Sequence, residues 1–197
     1  MLQKIINISK NPKITIIIPL YNSGKLIKLI VRSIQNQNID DIEIILINDF
    51  SNDNGITLQV INQLQKEDQR IIIINNRKNM GILYSRCIGV LQSRGEYIMN
   101  LDHDDLIFDE NVFDTSYKSA KIGKFDIISF TYVISKDYNF EIRESPYINI
   151  PHNYIVTQPR LSSYPLFEND TFSYHDFTIW AKLYKNDIYK KSVIYYL

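Results

Sequence analysis

The sequence predicts a single α/β domain built on a mostly parallel central sheet with helices on both faces, and three observations carry that reading. Apolar, β-branched runs recur at residues 14–19, 42–47 and 70–74. A run without polar alternation suits a strand buried on both faces of a parallel sheet. Each run is followed by a segment whose apolar residues fall at helical spacing, so strands and helices alternate as βαβ units with right-handed crossovers. The third observation is Tyr97-Ile98-Met99-Asn100-Leu101-Asp102-His103-Asp104-Asp105, an apolar strand running straight into Asp102, Asp104 and Asp105. Carboxylates this close raise each other's pKa unless something positive stands between them, and hard cations such as Mg²⁺ and Mn²⁺ take oxygen ligands of this kind. An acidic surface turn that caps the following helix is the alternative reading.

Taken in order, the first strand reads ITIIIP and is ended by Pro19. Tyr21-Asn22-Ser23-Gly24 forms a loop, after which Leu26, Ile27, Ile30, Val31 and Ile34 mark one apolar face of a helix. The second strand stops at Asn48-Asp49-Phe50-Ser51-Asn52-Asp53, a stretch too rich in carboxylates and amides to be interior. A second helix is predicted over residues 56–65. The loop after the third strand, residues 75–81, carries two cations, Arg77 and Lys78. Leu83, Cys87, Val90 and Leu91 stripe a third helix, which leads into a strand over residues 96–101. Beyond the acidic stretch, residues 111–122 predict a helix and residues 125–134 a strand. Tyr, Asn and Pro then accumulate over residues 137–174, where only loops and short strands are expected. Apolar content returns in the tail, residues 176–189, around Trp180 and Leu183. The domain thus divides into a regular α/β half, residues 13–135, and a less regular half, residues 136–197.

A chain of 197 residues is long enough for one domain that buries about 70% of its unfolded surface. The 22 basic and 22 acidic residues cancel, which argues against the broad basic face that nucleic-acid binding needs. The lone cysteine, Cys87, excludes an intramolecular disulfide and reads as a small buried hydrophobe. The N-terminus lacks the continuous apolar core of a secretory signal. No apolar run reaches the roughly 18 residues of a membrane span. The expectation is a cytoplasmic chain, or one held peripherally at a membrane through a longer parent protein. Asn7-Ile8-Ser9 and Asn169-Asp170-Thr171 match the glycosylation pattern by chance on this reading.

In open α/β sheets, ligands bind outside the carboxyl ends of the strands. That rule gathers Pro19-Leu20-Tyr21, Asn48-Asp49 and the Asp102–Asp105 stretch along one edge. With six glycines and neither G-x-G-x-x-G nor G-x-x-x-x-G-K-[ST], the chain has no dinucleotide fingerprint and no P-loop. Phosphate would have to be neutralised by a carboxylate-held metal, with help from Arg86 or Lys78. Asp49 can accept a hydrogen bond from a base N–H, or act with Asn48 as a turn former. Tyr21 can stack on a base, or sit as a half-buried loop aromatic. His103, His152 and His175 are too scattered for zinc, and no G-x-S-x-G elbow supports a serine hydrolase.

Several motifs in combination carry a family resemblance. Ile16-Ile17-Ile18-Pro19-Leu20-Tyr21-Asn22, Ser33-Ile34-Gln35-Asn36-Gln37, and Glu43-Ile44-Ile45-Leu46-Ile47-Asn48-Asp49-Phe50-Ser51-Asn52-Asp53 closely resemble the opening of family 2 glycosyltransferases of the GT-A fold. Asn79-Met80-Gly81 with Arg86, Gly95-Glu96-Tyr97-Ile98 running into the acidic stretch, and Trp180-Ala181-Lys182-Leu183-Tyr184-Lys185 continue the pattern in the same order. The resemblance implies a Rossmann-like half that binds a nucleoside-diphosphate sugar, with a UDP-sugar as the expected donor. It implies that Asp49 binds the base, that Tyr21 packs against it with Pro19 and Asn22 beside it, and that Arg86 lies near the nucleotide. Asp102 and Asp104 match the DxD element, which contacts ribose and holds Mn²⁺ or Mg²⁺ on the diphosphate. Asp104 and Asp105 are the two metal-ligand candidates. The implied reaction is inverting transfer of a sugar to the hydroxyl of a saccharide, lipid-linked or protein acceptor, with residues 136–197 on the acceptor side.

Some positions depart from the family pattern. Asn48 stands where a first aspartate is usual, Phe50 where glycine is usual, and Cys87 where asparagine often follows the arginine. Family members also carry a Glu-Asp pair after the Trp-x-Lys-Leu-Tyr segment, whose aspartate is the general base, and no such pair follows Lys185. His175-Asp176 is the nearest substitute, although it precedes Trp180. The expectation is the N-terminal part of a larger transferase or a degraded copy, with a non-catalytic nucleotide-binding domain as the alternative. A sugar nucleotidyltransferase would need a Gly- and Arg-rich loop after the first strand, and Pro19-Leu20-Tyr21-Asn22-Ser23 is not one.

Overall fold

The structure, a computed structural model, describes residues 11–129 and 182–194. In chain order its elements are β1 (Ile14–Leu20), α1 (Ile27–Gln35), β2 (Ile42–Asn48), α2 (Ile56–Glu67), β3 (Ile71–Asn75), α3 (Ile82–Gln92), β4 (Tyr97–Asn100), α4 (Val112–Gly123), β5 (Ile127–Ser129), β6 (Lys182–Lys185) and α5 (Asn186–Ile194). They build a six-stranded sheet in the order β3-β2-β1-β4-β6-β5. β1 pairs in parallel with β2 and β4, and β2 with β3, so the carboxyl ends of these four strands share one edge.

Every residue of β1 and β2 is buried, because helices cover both faces. Ile14, Ile16 and Ile18 face a core shared with α1, α2 and α4, while Ile17 faces the opposite core with Cys87 and Val90 of α3 and Val193 of α5. Full burial of one such isoleucine contributes on the order of 2–3 kcal/mol. Helix α3 lies close on the sheet at Gly89, where an added Cβ would stand 2.5 Å from Cγ2 of Ile17.

Two leucines of the expected helical stripes are exposed, Leu26 at 38% and Leu83 at 40%. Both lie at the start of helices that begin beyond the carboxyl edge, where the sheet no longer offers a surface to pack against. The stripe of α1 is Ile27, Ile30, Val31 and Ile34. The third strand begins at Ile71 because Arg70 is turned aside, its backbone N–H and guanidinium both donating to Asp68.

Glu43 interrupts the apolar run of β2 and is 2% exposed. Thr15 Oγ1 donates to its Oε1 at 2.9 Å, the Arg94 backbone N–H to the same oxygen at 2.9 Å, and Arg94 Nε to Oε2 at 2.6 Å. A buried charge is tolerated when paired and hydrogen-bonded in this way. The cluster ties the end of α3 to the sheet.

The tail, where the sequence shows only a return of apolar content, forms a strand and a helix. β6 inserts antiparallel between β4 and β5, pairing Leu183 with Met99 and Ile128, and α5 then packs on α3 and β4. The predicted strand over residues 125–134 begins only at Ile127 and is described as far as Ser129; residues 130–134, Trp180 and the irregular stretch before it lie outside the described residues. No helix among the described residues is long and apolar enough to cross a membrane.

Candidate functional site

The carboxyl edge of β1, β2, β3 and β4 is laced by hydrogen bonds between the loops that leave it. The Asp49 N–H donates to the Leu20 carbonyl at 2.8 Å, that of Leu101 to the Ile17 carbonyl at 3.0 Å, and that of Asn76 to the Asn48 carbonyl at 2.9 Å. These bonds bring Pro19, Tyr21, Asn22, Asp49 and Asp102 to one edge despite their sequence separation. Pro19 is still within β1, in register with Ile47. Tyr21 is 46% exposed. Asn22 reaches across to the next loop, its Nδ2 donating to Asn52 Oδ1 at 2.7 Å and its Oδ1 accepting the Asn52 N–H at 2.8 Å.

After β2, Asn48 Oδ1 accepts the Ser51 N–H at 3.0 Å and so closes a tight turn. Within that turn Phe50 adopts φ +60°, a left-handed conformation. This explains why glycine is the permissive residue there: it enters this region without the Cβ clash that an L side chain brings. Asp49 is 3% exposed and its carboxylate works inside the protein. Oδ1 accepts Asn76 Nδ2 at 2.7 Å and the Met80 N–H at 2.9 Å, and Oδ2 accepts the Gly81 N–H at 2.7 Å. Asp49 therefore holds the loop after β3 down onto the edge.

After β4, the Asp102 N–H donates to Asp105 Oδ2 at 2.9 Å and the Asp105 N–H to the Asp102 carbonyl at 3.1 Å, folding the acidic stretch into a compact turn. Arg86, projecting from α3, donates Nη2 to Asp102 Oδ1 at 2.5 Å. Burial pushes the Asp105 carboxyl up; the Asp102 N–H opposes this, the charges of Asp102 and Asp104 reinforce it, and Arg86 opposes it again. Asp104 is exposed.

Among the described residues no group of three or more His, Cys, Asp or Glu side chains converges as a cation site. A Mg²⁺ or Mn²⁺ ion carried mainly by phosphate oxygens needs only one or two protein carboxylates, however. The donor set fits: Asp104 and Asp105 offer hard oxygens beside a charge excess that, among the described residues, Arg86 offsets.

Tyr189 was not anticipated from the sequence. Asn100, fully buried at the end of β4, donates Nδ2 to the Tyr189 hydroxyl at 2.9 Å. Burial pushes the Tyr189 phenol up, while the Asn100 hydrogen bond and the Arg86 charge oppose that shift. Asn100 Oδ1 and Arg86 Nε are buried without partners among the described residues. Only an amphipathic reading of residues 186–194 would have pointed to Tyr189. Asp176, the weak candidate for a base, and His175 lie outside the described residues.

A mostly parallel sheet with helices on both faces, and with these side chains along its carboxyl edge, defines an α/β protein of the GT-A type. S. aureus TarS 1-349 in complex with UDP superposes with a TM-score of 0.63 at 20% identity, covering 91% of this chain and 48% of that one. The mannosyltransferase PcManGT from Pyrobaculum calidifontis, in complex with GDP-Man and Mn²⁺, gives 0.57 at 18% identity, covering 67% of this chain and 40% of that one. At these identities the likeness shows the fold. The sequence matches the family model described as glycosyl transferase family 2 over residues 15–192, and the chain belongs to that family. It is 30% identical over 128 residues to glycosyltransferase GlyG of Streptococcus pneumoniae, which spans 65% of this chain and 40% of that protein. It is 27% identical over 189 residues to the GalNAc(5)-diNAcBac-PP-undecaprenol beta-1,3-glucosyltransferase of Campylobacter jejuni, spanning 88% of this chain and 60% of that one. The chain thus spans 40% and 60% of the lengths of these two relatives.

Proposed function

We propose that this chain is the donor-binding part of a metal-dependent transferase that moves a sugar, with inversion, from a UDP-sugar to an acceptor hydroxyl. The observation that carries the reading is the folding of Asp102–Asp105 into a turn at the carboxyl edge, beside Arg86 and the loops of Tyr21 and Asp49, in a chain of glycosyl transferase family 2. Support for the donor class comes from S. aureus TarS 1-349, described in complex with UDP-GlcNAc, and from PcManGT with GDP-Man and Mn²⁺.

On this reading Tyr21 packs on the base, with Pro19 and Asn22 shaping the loop around it. Asp49 braces the wall formed by Met80 and Gly81 and contributes to base binding from within that wall. Asp102 orients toward the ribose while Arg86 holds its carboxylate. Asp104 and Asp105 hold Mn²⁺ or Mg²⁺, which supplies charge stabilisation at the leaving diphosphate. The acceptor approaches opposite the diphosphate, and a carboxylate takes its proton. Residues 13–135 form the donor half and residues 136–197 the acceptor side, with Asp176 the candidate base within it. The acceptor class is a saccharide, a lipid-linked sugar or a protein.

Calorimetry with UDP and Mn²⁺ tests the assignment. The Asp104→Asn, Asp105→Asn double variant is expected to lose Mn²⁺-dependent UDP binding, and unchanged binding would overturn the metal assignment. UDP binding without transfer to any acceptor would favour a non-catalytic nucleotide-binding domain instead.

A further inference from the structure

We propose that Phe50 is a second aromatic contact for the nucleobase, paired with Tyr21 at the carboxyl edge. The inference rests on the donor-site reading above. Tyr21 and Phe50 lie between two sets of hydrogen bonds that tie their loops together. On one side the Asp49 N–H donates to the Leu20 carbonyl at 2.8 Å. On the other the Asn22 N–H donates to Ser51 Oγ at 3.0 Å, and the amides of Asn22 and Asn52 bond reciprocally. The two loops that carry these aromatics are therefore held together, and neither can swing away without breaking these bonds.

Folding alone does not account for Phe50. Its side chain is 55% exposed, so packing returns little for a bulky aromatic at this position. Its backbone sits at φ +60°, where a bulky L residue is an outlier and glycine is free of strain. Such outliers cluster at ligand-binding edges, and this one stands where ligands bind in open α/β sheets. Beside it, Asp49 spends three acceptor positions on Asn76, Met80 and Gly81, leaving a carboxylate little more to offer. Much of the grip on the base then falls to the exposed rings. An aromatic face stacks on any base, so the pair raises affinity for the nucleoside of the donor without choosing between uracil and guanine.

Phe50→Gly and Phe50→Trp, each in the full chain, separate the roles. Phe50→Gly relieves the left-handed backbone, and its unfolding midpoint without ligand is expected to hold or rise. Its affinity for UDP with Mn²⁺, measured by calorimetry, is expected to fall about tenfold, while Phe50→Trp stays near the unsubstituted value. A ring contact is read from the pair together: affinity lost in Phe50→Gly and kept in Phe50→Trp, without a matching order in the unfolding midpoints. UDP binding by Phe50→Gly within twofold of the unsubstituted chain would overturn this inference and leave the donor site standing. Failure of the unsubstituted chain to bind UDP would overturn the donor-site reading, and this inference with it.

Discussion

The guanidinium of Arg86 donates to Asp102 Oδ1 at 2.5 Å, joining the middle of α3 to the turn that follows β4. The Arg86 side chain is 11% exposed and that of Asp102 30%. Arg86 Nε has no partner among the described residues, where this carboxylate is the guanidinium's anchor. Asp102→Ala strands a mostly buried cation, and urea unfolding is expected to show a loss of about 2–3 kcal/mol. Arg86→Lys keeps the charge but not the planar fork, and about 1 kcal/mol of that loss is expected to remain. Equal stability of Asp102→Ala and the unsubstituted chain would show that the pair is not formed in solution.

Asp49 braces the Asn76–Gly81 loop through three hydrogen bonds, two of them to backbone N–H groups. Asp49→Asn turns an amide donor toward one of those N–H groups. A loss of about 2 kcal/mol follows from the unsatisfied buried donor. Hydrogen exchange should report the site of the damage: Met80 and Gly81 amides are expected to exchange faster while those of β1 keep their protection. Unchanged protection at Met80 and Gly81 would refute the bracing role.

Asp68 gives the fold a pH dependence. Burial raises its carboxyl, but hydrogen bonds from Arg70 and Gln35 outweigh burial and hold it below its ordinary 3.8. A pKa lower in the folded than in the unfolded chain means that the ionised group stabilises the fold above 3.8, and that this contribution is lost as pH falls through the folded value. Asp68→Asn is therefore expected to be about 2 kcal/mol less stable at neutral pH, with the difference closing below about pH 4. Urea titrations across that range check both the size and the direction; a gap that widens toward acid would contradict the pairing.

Four parallel strands and the helices between them were legible because their signals are local. Ile14, Ile16, Ile17 and Ile18 declare a two-sided burial within one short run, and Ile27, Ile30, Val31 and Ile34 declare a helix face within two turns. The candidate site was legible by a rule of topology: loops at the carboxyl ends of parallel strands meet, so Tyr21, Asp49 and Asp102 had to share an edge. Phe50 was visible as a departure from the family pattern, and its left-handed backbone supplies the reason glycine is usual there. The short strand β6 escaped because Lys182–Lys185 has too few residues for a periodic signal.

The amino-acid sequence by itself determined the α/β class, the order of the first four strands along the chain, the polar edge and the family. The tertiary structure alone decided what each polar group does. It closed Asp49 on Met80 and Gly81, paired Glu43 with Thr15 and Arg94, set β6 antiparallel between β4 and β5, and brought Tyr189 to Asn100. The physical reason is one of range. Hydrophobic burial repeats with the period of the local backbone, so it can be read from neighbours in sequence. A carboxylate or amide instead takes whichever partner the folded chain brings within hydrogen-bond distance, and here those partners lie 28 to 89 positions away.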